Sequence, residues 1–167
     1  MMLVGNFFSG GNVLRLSEYM NRGLIYLDVA ASDKADAIAQ IVASMGKTKI
    51  IKKADDFREE VIQRERLGST GIGKGIAIPH ARTKNVGKIT IAFARLQNGI
   101  DFGAEDEELV RLVFLLGTPI EAVGEYLKIL AKLTKVLKEN GLRKKLLKAN
   151  SADEVLSLIE EAEDQTL

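Results

Sequence analysis

The sequence predicts an α/β sandwich, a single domain in which a central mixed β-sheet is flanked by helices, and three observations carry that expectation. Apolar patterns of strand period and helix period alternate along the chain. Two strand-like runs follow one another directly in the middle of it. Val113 to Leu116 is apolar without interruption, as a central strand covered on both faces would be. At 167 residues the chain is about one ordinary domain long, so residues 1–167 are expected to share one core.

Taken in order, Gly23 to Val29 (GLIYLDV) is apolar and β-branched enough for a strand. Ser32 is placed to cap a helix in which Ile38, Ile41, Val42 and Met45 recur at helical spacing and Gly46 ends the run. A second helix is expected from about Asp55 to Arg66, acidic in its first turn and basic in its last as the helix dipole favours, with Gly68 after it. Ser69 to Gly75 holds three glycines and two hydroxyl residues and reads as a loop before a short strand, Ile76 to Ile78. Lys88 to Leu96 and Leu109 to Gly117 are the next two strands. Thr118-Pro119-Ile120-Glu121 has the form of a capping box with proline at the first helical position. The helix it opens is expected to reach about Lys138, with Ile120, Val123, Leu127, Leu130, Thr134 and Leu137 on one stripe and Gly141 closing it. A short basic helix (Leu142 to Lys148) follows, and Ser151-Ala152-Asp153-Glu154 is a second capping box before a final amphipathic helix.

Composition removes several classes of function. Cysteine is absent, which excludes disulfides, thiolate metal sites and cysteine nucleophiles, and a lone histidine excludes centres built from several. A net charge of +1 is no footprint for nucleic acid. No stretch has the roughly 20 apolar residues of a membrane span, and the opening MMLVGNFFSGGNV lacks the pattern of a secretory signal, so a cytoplasmic protein without membrane insertion is expected. The basic run Lys128, Lys132, Lys135, Lys138, Arg143, Lys144, Lys145 and Lys148 has the spacing of a solvated helix face and no interleaved aromatics, and Glu105 to Glu108 falls in a solvated turn.

Charge is nevertheless uneven. Between Arg64 and Lys88 six basic residues face a single acidic one, Glu65, and the only histidine, His80, lies in that segment. Gly68, Gly73 and Lys74 fit G-x-x-x-x-G-K, but a P-loop needs a strand before it and a helix after it, and here the order is reversed with Gly75 in place of Ser or Thr. The loop's backbone N–H groups could instead form a nest for an anion. Taken alone, one histidine is more often structural than catalytic. The Gly-rich loop before it, the basic residues around it and the small Ala81 beside it favour a site. Arg64 is the i+7 and i+3 partner of Phe57 and Val61, which sets a guanidinium on or beside the inward face of its helix. It could snorkel to solvent; beside an anion-binding loop and a histidine it reads better as a fixed fork for phosphate.

The stretch from Arg64 to Arg82, RERLGSTGIGKGIAIPHAR, resembles the phosphorylation-site signature of the type-2 IIA domains of the bacterial phosphoenolpyruvate-dependent sugar phosphotransferase system, which include fructose, mannitol and nitrogen-regulatory proteins. The likeness continues through FARLQNGIDF, LVFLLGTP and YLKILAKL and covers about residues 24–161. It implies the mannitol-type IIA fold, His80 as the phosphoryl-accepting histidine, and Arg64, sixteen residues earlier, as the arginine that approaches the phosphohistidine. Ser69 and Thr70 would lie in the loop near it. Tyr126 stands where the family often has a second histidine; its phenol can donate a hydrogen bond to a phosphoryl oxygen or simply pack its ring at the edge of the core.

The resemblance further implies the partners: an HPr-type phosphocarrier protein as donor, and as acceptor a IIB component of fructose-like transport. The alternative is a nitrogen-type regulatory role, in which phosphorylation controls binding to target proteins. No cofactor is implied, because phosphohistidine is already an activated donor and the transfer requires neither ATP nor a metal.

Overall fold

The computed structural model describes residues 14–166; the reading of the first thirteen residues as free of a leader lies outside them. In chain order, two short 3-10 turns (Leu16–Tyr19 and Arg22–Leu24) lead into strand β1 (Ile25–Val29) and helices α1 (Lys34–Met45) and α2 (Ala54–Leu67). Strands β2 (Gly71–Gly73), β3 (Ile76–Ala77), β4 (His80–Thr83), β5 (Thr90–Ile100) and β6 (Val110–Pro119) follow, then helices α3 (Val123–Leu137), α4 (Asn140–Lys148) and α5 (Ala152–Gln165).

The strands form one sheet in the order β1-β5-β6-β3-β2, and β4 also pairs with β6. β6 is antiparallel to β5 and parallel to β3 and β4, which lie end to end along its other edge; β1 is parallel to β5. The mixed sheet is therefore as expected, and β6, apolar on both faces, is its central strand. Side chains alternate across it. Ile91, Phe93, Leu112, Phe114 and Leu116 pack with the core residues of α3, α4 and α5, while Ala92, Ala94, Val113 and Leu115 pack with Ile38, Ile41, Phe57 and Val61 of α1 and α2. The small alanines on the second face allow close approach. At Gly117 a Cβ would come within 2.9 Å of Phe57 Cζ, so a larger residue there would push α2 off the sheet.

Several local expectations are corrected where a tertiary contact or a neighbouring residue outcompetes the local pattern. Asp33, not Ser32, caps α1: its side chain accepts from Asp36 N at 2.8 Å, while Ser32 N donates to the Asp36 carboxylate. The Gly-rich segment is not all loop, since Gly71–Gly73 pairs with β3 across a tight turn in which Gly73, Lys74 and Gly75 have positive φ. Thr118-Pro119 does not start a helix but ends β6, where it pairs with Arg82 and Thr83 of β4; sheet pairing and full burial of Thr118 outweigh a cap worth about 1 kcal/mol. In consequence α3 begins at Val123, and its buried stripe is Ile129, Leu133, Val136 and Leu137, one residue round from the expected one. Val123 and Leu127 face outward, and Gly141 lies inside α4. The second capping box is as expected, with Ser151 Oγ accepting from Glu154 N at 3.1 Å.

Candidate functional site

His80 owes its position to a break in the strand line beside β6. Pro79 has no N–H to give a ladder, so β3 stops at Ala77 and β4 resumes at His80. The two intervening residues are pinned from both sides: Ile78 N donates to Thr70 O at 3.0 Å, and Leu116 N donates to Pro79 O at 2.9 Å. Ala81 then points into the core shared with α1 and α2, which turns His80 and Arg82 to the opposite face, toward α3.

His80 is 7% exposed, and its Nδ1 lies 2.7 Å from Ile78 O. A carbonyl oxygen can only accept, so Nδ1 carries the hydrogen and Nε2 holds the lone pair. Burial is the main influence on its pKa and pushes it below the ordinary histidine value, with the Arg64 charge acting in the same direction; the Ile78 carbonyl and the Glu65 charge oppose them. The imidazole is thus neutral near pH 7, with one nitrogen occupied and the other available.

His80 lines a cleft of ≈ 770 Å³ together with Arg64, Arg82, Val123, Tyr126 and Leu127, so the structure brings together His80, Arg64 and Tyr126 from three elements. Arg64, in the last turn of α2, is half-buried, and its Nη1 donates to Gly68 O at 2.9 Å. Tyr126 lies in the first turn of α3, its ring centroid 5.7 Å from that of His80 at 50°. Burial raises the phenol's pKa, against the pull of Arg64 and Arg82, which keeps Tyr126 a hydrogen-bond donor at neutral pH.

Ser69 and Thr70 are not among the residues of this cleft. Ser69 Oγ donates to Phe102 O at 2.6 Å and accepts from Gly71 N at 3.0 Å, on the wall of a separate concavity that also holds Lys74 and Asp106. Thr70 is buried, and both its N–H (2.9 Å) and its hydroxyl (2.5 Å) donate to the Glu65 carboxylate. The Gly-rich turn is filled by an internal anion: Asp106 Oδ2 accepts from Lys74 N at 2.8 Å, and this contact together with the Glu108 N–H holds its carboxyl below the usual range. Asp106 is therefore a brace for the loop rather than only a solvated charge.

Two residues of the site were not singled out in the sequence. Arg82 stands two positions after His80, the spacing that puts both on one face of a strand, but no strand was expected there. Glu65, the only acidic residue between Arg64 and Lys88, is 5% exposed; its isolation among basic residues was the available signal.

A single α/β domain that presents one neutral, partnered histidine in an arginine-lined cleft is built to carry an anionic group on that ring. Residues 18–162 match the family described as "Phosphoenolpyruvate-dependent sugar phosphotransferase system, EIIA 2", and the chain belongs to that family. It is 35% identical over 138 residues to the fructose-specific EIIA component of Haloferax volcanii, covering 83% of this chain and 90% of that one. It is 32% identical over 146 residues (87% of this chain) to the fructose-specific EIIABC component of Bacillus subtilis, of whose length it spans 23%. Among solved structures, nitrogen regulatory protein IIA-Ntr of Neisseria meningitidis superposes with a TM-score of 0.80 at 32% identity, over 86% of this chain and 98% of that one. The mannitol enzyme IIA of Escherichia coli, solved in complex with phosphorylated enzyme IIB, superposes with a TM-score of 0.72 at 25% identity, over 83% and 95%.

Proposed function

We propose that this chain is a phosphoryl carrier in which His80 accepts a phosphoryl group from an HPr-type protein and passes it to a IIB component. The observation that carries the reading is the 2.7 Å contact between His80 Nδ1 and Ile78 O, which leaves the Nε2 lone pair free on a residue that lines the cleft. That pair attacks phosphorus in line; the bond from phosphorus to the donor histidine breaks, and the donor nitrogen keeps the electrons. The His80 ring then holds phosphorus on Nε2 and its original proton on Nδ1. It is positively charged, and the Ile78 carbonyl stabilises that charge. A cationic ring leaves readily, so the group can move on without ATP or a metal.

Arg64 and Arg82 supply positive charge along the path of the phosphoryl oxygens, and Tyr126 can add one neutral hydrogen bond. Ser69 and Thr70 act on the site through the loop that they fasten rather than by lining the cleft. The IIB partner is supported by the complex of the mannitol relative, and fructose-like transport by the fructose-specific relatives. The likeness to IIA-Ntr supports a second reading, in which phosphorylation of the same histidine controls binding to a target protein.

Incubation with phosphoenolpyruvate, the first enzyme of the system and HPr is expected to add one acid-labile, base-stable phosphoryl group. His80→Ala is expected to abolish it, and phosphate persisting on that variant would refute the assignment. Onward transfer to a purified IIB protein supports the transport reading; a phosphorylated chain that donates to no IIB while changing its affinity for a target supports the regulatory one.

A further inference from the structure

We infer that Glu65 is a positioning residue for His80: with Thr70 it clamps the segment whose Ile78 carbonyl fixes which imidazole nitrogen is free to react. The inference rests on the phosphoryl-carrier reading for its effect on rate, but not for its effect on the ring.

The contacts form one continuous path. Glu65, in the last turn of α2 beside Arg64, accepts from Thr70 N at 2.9 Å and from Thr70 Oγ1 at 2.5 Å. Thr70 O accepts from Ile78 N at 3.0 Å, and Ile78 O accepts from His80 Nδ1 at 2.7 Å. Each link is between groups that have few alternatives. Thr70 and Glu65 are both over nine-tenths buried, and Pro79 gives the next position no N–H with which to hold the strand line. Loss of the Thr70 contact would leave the Ile78 peptide more loosely held, by Leu116 N on the far side of Pro79 and by the packing of the Ile78 side chain in the core.

The choice of a carboxylate follows from the donors that surround it. Thr70 N–H, the Thr70 hydroxyl and Lys34 Nζ at 3.4 Å all point at Glu65, and an ionised carboxylate only accepts. A buried carboxylate is costly unless it is partnered in this way. A core built only for packing would have an apolar residue at this position. An amide keeps an acceptor for only one of the two Thr70 donors and can hold the hydroxyl only by turning it round as an acceptor, so Glu65→Gln is a small change in shape that replaces two charge-assisted bonds with weaker neutral ones.

The consequence for chemistry is a choice of tautomer. A neutral imidazole free in water shares its proton between the two nitrogens, and only the form with hydrogen on Nδ1 has a lone pair at Nε2. Since His80 is the only histidine in the chain, ¹⁵N-labelled protein shows one imidazole, and its tautomer can be read directly above the ordinary histidine pKa of about 6.5. The wild-type ring is expected to show a protonated Nδ1 and a pyridine-like Nε2. Glu65→Gln and Thr70→Val are expected to add a share of the opposite tautomer and to slow transfer at saturating phosphocarrier about threefold to tenfold, the scale of one hydrogen bond, with little change in KM. Thr70→Ser keeps both donors and is expected to behave as wild type. If Glu65→Gln fails to fold, the two Thr70 variants carry the test. Folded Glu65→Gln or Thr70→Val protein with an unchanged imidazole spectrum would overturn the inference, whatever its stability. Variants that redistribute the proton, in a chain whose wild type accepts no phosphoryl group, would refute the carrier reading and leave the clamp supported.

Discussion

Removing the Arg64 guanidinium is the sharpest perturbation of the proposed chemistry, because the structure separates its role at the site from its role in the fold. Its one hydrogen bond among the described residues, from Nη1 to Gly68 O, lies at an exposed helix end, so Arg64→Ala is expected to lower stability by no more than about 1 kcal/mol. Its position in the cleft beside His80 is a different matter. A charge-assisted contact to a phosphoryl oxygen is worth about 1.5–3 kcal/mol, which predicts a ten- to hundredfold loss of transfer rate. The substitution also removes a charge that lowers the His80 pKa, so the rate is expected to begin falling at a higher pH on acidification than in wild type. Arg64→Lys keeps the charge without the two-pronged fork and should recover only part of the loss. The assay is rapid-quench transfer from phosphorylated HPr, with melting temperatures measured in parallel. Unchanged rates in both variants would refute the argument and return Arg64 to the surface; equal losses of rate and stability would show that it acts through the fold.

Two further outcomes are expected. Tyr126→Phe should slow transfer by about two- to tenfold at unchanged melting temperature if the phenol binds a phosphoryl oxygen, since one neutral hydrogen bond is worth roughly 0.5–1.5 kcal/mol; an unchanged rate would leave the ring as a packing element over His80. Because burial lowers the His80 pKa in the folded chain, the unfolded chain takes up that proton first as pH falls below about 6.5, and stability should decline from there until the folded ring is itself protonated. His80→Gln should remove that part of the decline, and identical pH–stability curves for the two proteins would contradict the burial of an uncharged ring.

How far the sequence disclosed all this depends on whether the deciding contact was local. The layered sheet was legible because β6 carries an uninterrupted apolar run and the helices show their period and their acidic first turns. His80 and Arg64 were legible because a lone histidine beyond a glycine-rich stretch and an arginine on an inward helix face are unusual at single positions. Thr118 was misread because its neighbours spell a cap, while its fate was set by pairing with Arg82 from a strand 36 residues earlier, which no local pattern announces. The same gap hid β4 and with it Arg82. The anion nest was misplaced for a related reason: the loop has the backbone for one, but the anion is Asp106, supplied from the turn before β6.

The error in α3 has a further meaning. Val123 and Leu127 sit at helical spacing with Leu130, which packs against the core, yet they are 42% and 57% exposed, and Leu67 at the end of α2 is 85% exposed across the same cleft. Apolar side chains of that size left in water around a histidine are unfavourable in the isolated chain unless something covers them. A phosphoryl group cannot, being small and anionic. A protein surface can, and one that carries its phosphoryl group on a histidine would bring the donor, cover the apolar rim and exclude water from the arginines in a single step. On the proposed reading the open cleft is half of the site, and the partner's surface supplies the rest. Because Thr118-Pro119 ends β6 and α3 begins only at Val123, the helix buries Ile129, Leu133, Val136 and Leu137 instead, which is why periodicity alone assigned Leu127 to the core and the structure places it at the rim.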